Sequence, residues 1–179
     1  MPTSSSSLLV PCRDGDGFEF YSHNRLCRFL RISSPYITCL AYAPYAANAP
    51  HCSRPINHGK KLQVPGQLRD LLQAVVPSRR ASRLLRNLSS NVVCGINGWH
   101  QNKASEVYQE WCDDLWKAYL YMNELDPRLW TGSTPLLSTA RWEEALEDAR
   151  REQQDDSSSE DYDSNEDSCL LYTSPSPRD

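Results

Sequence analysis

The chain has 179 residues and a formal net charge of −4, and that modest charge hides a basic half (Met1–Lys103, +9) and an acidic half (Ala104–Asp179, −13). Apolar residues make up 39%, below the about 45–50% usual for globular domains, and the mean hydropathy is −0.64, which argues against a large enzyme with a deep core. No apolar run approaches the about 18 residues of a membrane span, and MPTSSSSLLVPC lacks the basic and apolar blocks of a secretory signal, so a soluble, non-secreted chain is expected.

Residues 1–64 read as a basic, Pro- and Cys-containing N-terminal region of irregular, partly β character. Phe18–Tyr21 and Leu26–Ile32 are short apolar pieces. Tyr36–Tyr42 (YITCLAY) has the β-branched and aromatic content of a strand. Pro44, Pro50, Pro55 and Gly59 then punctuate a loop or linker.

Residues 65–151 read as a small helical core, making the fold mainly α. Leu68, Leu71, Leu72, Val75 and Val76 keep helical spacing, with Pro65-Gly66 before them and Pro77 after them. Ser78 is positioned to cap a second helix, whose face carries Ala81, Leu84, Leu85 and Leu88. From Lys103 to Leu125, Val107, Tyr108, Trp111, Leu115, Trp116, Tyr119 and Met122 hold the same periodicity and predict a long aromatic helix. Asp126-Pro127 ends it. Ser138 or Thr139 starts a last helix with Trp142, Ala145, Leu146 and Ala149 on one face. Residues 152–168 are acidic and Ser-rich, a composition expected to stay disordered.

Cysteine and histidine supply the first chemical candidates. Cys12, His23, Cys27, Cys39, His51, Cys52 and His58 crowd the first third, but no CxxC pair forms the local knuckle that zinc sites favour. The expectation is scattered reduced thiols and no cofactor, with a zinc-stabilised domain as the alternative. Cys94, Cys112 and His100 suggest a Cys–His pair without a supporting catalytic motif; a buried thiol and a surface histidine are the simpler reading. P-loop, GxGxxG, HExxH and GxSxG patterns are absent, so the chain reads as a non-enzyme.

Ser78–Arg86 (SRRASRLLR) places Arg79, Arg80, Arg83 and Arg86 on one amphipathic helix. A guanidinium fork suits phosphate, so these arginines, with Lys60 and Lys61, are the candidate nucleic-acid contacts. Lys60-Lys61 and Arg79-Arg80 also resemble a loose bipartite nuclear import signal. Ser82 follows two arginines as in a basophilic kinase site, while Ser157, Ser158 and Ser164 each precede an acid by three residues as in acidophilic sites. The long aromatic helix offers a second surface: Trp111, Asp113, Asp114 and Trp116 are the candidate contacts of a protein partner.

Trp111–Leu120 (WCDDLWKAYL) resembles a segment near the end of the small NP accessory proteins of parvoviruses, where a Trp-Asp-Asp run precedes an aromatic-basic stretch and an acidic tail. Trp99-His100 matches a Trp-His pair upstream in that family. Cys112 interrupts the Trp-Asp-Asp run, and the family's close cysteine pair is missing here. The resemblance implies a nuclear non-structural protein that supports viral DNA replication and RNA processing. Cys169–Asp179 (CLLYTSPSPRD) resembles a translated transposase sequencing adapter along its whole length, and is expected to contribute nothing to the fold.

Overall fold

The computed structural model describes residues 8–13, 17–33, 37–42, 52, 54–95, 100–135 and 137–157. Tyr36, His51, Trp99, Ser158, Ser164 and the acidic and adapter-like stretch 158–179 lie outside the described residues.

The described residues are mainly helical, as the periodicity predicts. Strands β1 (Leu9–Pro11) and β2 (Phe18–Phe20) form an antiparallel pair in which Leu9 faces Phe20, and both of these are buried. Gly17 enters β2 at φ 96°, and a Cβ there would lie 2.8 Å from Val75 Cγ1. Only glycine meets both demands. Phe18 exchanges two backbone hydrogen bonds with Val76 (2.9 and 2.7 Å), which docks the hairpin onto the helical part.

Helix α1 (His23–Phe29) is capped by Ser22, whose Oγ accepts from Arg25 N–H. It ends with Arg31 in the left-handed region (φ 57°) and Ile32 N–H reaching back to Cys27 O (2.9 Å), a Schellman closure. Helix α2 (His58–Leu72) begins and ends earlier than the expected Gln67–Val76, leaving Val75 and Val76 beyond its end. Asn57 Oδ1 caps it by accepting from Gly59 N–H (2.8 Å), and the helix runs through Pro65-Gly66. Both of those residues are exposed, whereas Val64, Leu68 and Leu71 bury one side. Tertiary burial outweighs the hydrogen bond that proline removes. Helix α3 (Arg79–Asn91) has the predicted cap, Ser78 Oγ accepting from Ala81 N–H (3.1 Å).

A 3-10 turn (Gln101–Lys103) leads into α4 (Ala104–Met122), the central helix. Eight of its side chains are buried, including Tyr108, Trp111, Cys112, Trp116 and Tyr119. Glu124 at φ 63° and Leu125 N–H to Leu120 O (3.0 Å) repeat the Schellman closure. Helix α5 (Thr139–Ser157) starts where predicted and continues six residues past the boundary expected at 151. Its Trp142 packs edge-on against Trp116 (centroids 5.0 Å) and Tyr119 (4.9 Å), and Trp116 also meets Trp130 (5.5 Å).

Two expectations about the N-terminal region change. Tyr36–Tyr42 is not a strand in its described part. Thr38 forms an isolated bridge to Pro55, flanked by Cys39 N–H to Arg54 O (2.8 Å) and Cys52 N–H to Ala41 O (2.9 Å). Buried residues from Leu9 to Ala149 also form one continuous cluster, so the N-terminal region shares its core with the helices. No helix among the described residues is long and apolar enough to cross a membrane.

Candidate functional site

Two features carry chemistry: a group of thiol and imidazole donors, and an arginine-bearing helix face. The donors are Cys39, Cys52, Cys94 and His100, whose ligand atoms all lie within 4.8 Å of one another. Cys39 and Cys52 come from the two segments that pair through Thr38 and Pro55. Cys94 follows the end of α3, and His100 precedes the turn into α4. Leu40 N–H to Val92 O (3.0 Å) clips the first segment to the end of α3.

The internal distances are close. His100 Nδ1 stands 3.1 Å from Cys94 Sγ and 3.6 Å from Cys39 Sγ. Cys52 Sγ and Cys94 Sγ are 3.9 Å apart, far beyond the about 2.05 Å of a disulfide. Cys94 N–H donates to Cys39 Sγ (3.2 Å). The three cysteines are buried and His100 is half-buried. Burial pushes the Cys39 thiol up to about 11, opposed by the hydrogen bond from the Cys94 backbone.

The scattered reading therefore fails for Cys39 and Cys52, Cys94 is the buried thiol expected, and His100 is half-buried rather than on the surface. The donors are separated by 12, 41 and 5 residues, so no compact motif announces them. The Cys94-x5-His100 spacing was the available signal, and it named one half of the group. His23 and Cys27 form a separate pair on α1, with Sγ 3.6 Å from Nδ1. Cys112 is buried within α4, where desolvation raises its thiol; it lies outside the four-donor group.

The arginine face is largely where the sequence places it. Arg79, Arg80, Arg83 and Arg86 are all exposed on α3, and none pairs with a carboxylate among the described residues. Arg86 lies over the Tyr108 ring, 5.1 Å from its centroid. Arg79 and Arg80 occupy the first turn of α3, where a cation opposes the helix dipole. Lys60 differs from the expectation: its Nζ donates to Ser90 O (2.8 Å) and Val93 O (3.1 Å), which ties α2 to the end of α3. Lys61 is half-buried on α2. The two basic pairs of the import-like signal thus sit inside folded helices.

The expected partner face is corrected. Trp111 and Trp116 are 3% and 1% exposed and belong to the core, because α4 is covered by α3, β1 and the Trp142 side of α5. Asp113 and Asp114 are half-buried; Asp113 accepts from Gln109 (2.8 Å) and Asp114 pairs with Lys117 (3.3 Å). Ser82 is half-buried with its Oγ 2.8 Å from the Tyr108 hydroxyl, so it is not the free acceptor expected of a kinase site. Ser157 ends α5.

No protein-family model, curated protein or solved structure matches the chain.

Proposed function

We propose that the protein is a small, non-enzymatic nuclear regulatory or accessory protein that binds nucleic acid or a nucleoprotein through the arginine face of α3. The observation carrying this reading is the exposure of Arg79, Arg80, Arg83 and Arg86 without carboxylate partners among the described residues. Four arginines within eight residues, two of them against the helix dipole, cost local stability that bound phosphate would recover. The +9 charge of the first half adds long-range attraction for a polyanion. The resemblance around Trp111–Leu120 favours the viral non-structural version of this role, in DNA replication and RNA processing. An interaction module docking through the 103–125 helix has less support, since its aromatic side chains are committed to the core.

The test is the salt dependence of binding to a labelled oligonucleotide, single- and double-stranded. Affinity should fall with a log–log slope of about −0.7 to −0.9 per phosphate contacted. The triple variant R79A/R80A/R83A should weaken binding and flatten that slope. Salt-independent binding, or an unchanged slope in the folded variant, overturns the proposal.

A further inference from the structure

We propose that Cys39, Cys52, Cys94 and His100 bind one zinc ion as a closed, structural Cys3His site that fastens the N-terminal segments to the helical core. The first support is dimensional. Zinc sits about 2.3 Å from sulfur and about 2.0–2.1 Å from nitrogen in a tetrahedron, which sets ligand spacings of about 3.8 Å for sulfur to sulfur and about 3.5 Å for sulfur to nitrogen. The observed sulfur–sulfur distance is 3.9 Å, the two sulfur–nitrogen distances are 3.6 and 3.1 Å, and all four donors fall within 4.8 Å. Three sulfurs and an imidazole form a soft donor set that selects zinc over magnesium or calcium. A fourth protein ligand in place of an open position marks a structural centre rather than a catalytic one.

The surroundings complete the centre. Three thiols lose their protons to solvent as the ion enters, so a dication with three thiolates and a neutral imidazole carries one negative charge. The Cys94 N–H already points at Cys39 Sγ (3.2 Å), a hydrogen bond that strengthens on a thiolate. Lys60 Nζ bonds the carbonyl of Val93 (3.1 Å), the residue before Cys94, and sets a cation beside the anionic centre. His100 presents Nδ1 to the sulfurs, leaving Nε2 to carry the proton. The mechanical role follows from the topology. The backbone bonds of Cys39 and Cys52 join 37–42 to 52–56, and among the described residues it is Leu40 N–H to Val92 O (3.0 Å) that ties this pair of segments to the end of α3. One ion closes loops of 12, 41 and 5 residues at a single point.

Elemental analysis of the full-length chain, purified without chelator, should give one zinc per molecule. Replacement by cobalt should give the intense visible bands of a tetrahedral centre with sulfur-to-cobalt charge transfer. C52S and C94S should lose metal to well below half occupancy, whereas C12S, C27S and C112S should keep it. To separate loss of metal from loss of fold, H100C serves as the second variant: it retains four donors and should still bind one ion. Sub-stoichiometric zinc in the wild type, an octahedral cobalt spectrum, or full zinc in C52S and C94S would each overturn the site. None of these readouts depends on nucleic-acid binding, so the two proposals stand or fall separately.

Discussion

Ser82 Oγ and the Tyr108 hydroxyl lie 2.8 Å apart, a hydrogen bond that joins α3 to α4 beneath the arginine face. On the same ring, Arg86 makes its cation–π contact, so one tyrosine receives both a buried-side and a surface-side residue of α3. Removing the hydroxyl in S82A should cost about 1 kcal/mol in urea unfolding, the usual net value of one hydrogen bond. S82D should cost more, because a charged carboxylate would lose part of its hydration in the half-buried position that Ser82 occupies. Equal stability of S82D and the wild type would show that this side chain is free to accept a phosphate.

Trp116 meets Tyr119, Trp130 and Trp142 and is 1% exposed. W116A should destabilise the fold by about 3–5 kcal/mol, measured by chemical denaturation. A W116A chain that kept full stability but lost a protein partner would return this face to the surface.

Gly66 lies inside α2 with nothing within 4 Å of where a Cβ would stand. G66A should raise stability by about 0.5–1 kcal/mol, since alanine reduces the freedom of the unfolded chain without a clash. A fall in the thermal midpoint would mean that α2 needs a flexible joint after Pro65.

Asp126 accepts from the Arg128 side chain at 3.0 and 2.6 Å and from its backbone N–H at 3.0 Å. Those bonds hold its carboxyl at about 2, below the ordinary 3.8. A depressed folded value stabilises the protein above pH 3.8 and loses that effect as pH falls towards 2. Carboxyl-carbon NMR should place the midpoint near 2 in the wild type and near the ordinary value in R128A; coincident midpoints would refute the pairing.

The amino-acid order by itself determined the helical class and the positions of α3, α4 and α5. Helical periodicity from Val107 to Met122 needs no tertiary information, and Ser78 before Arg79 marks a helix start through its own hydroxyl. It also located the four arginines of α3, since consecutive residues of one helix share their neighbourhood. Tertiary structure decided the rest. An apolar stripe says that a face is covered but not by what, so Trp111 and Trp116 could be assigned to the core only once α3 and Trp142 were seen around them. Burial of Val64 and Leu68 carried α2 through Pro65-Gly66, against the local preference of that dipeptide. The donor group was least legible. Cys39, Cys52, Cys94 and His100 become neighbours because a backbone bridge and the α3–α4 turn meet at one point. Spacing along a chain records contacts within a helix or a tight turn, and it carries no trace of two loops that meet across the fold.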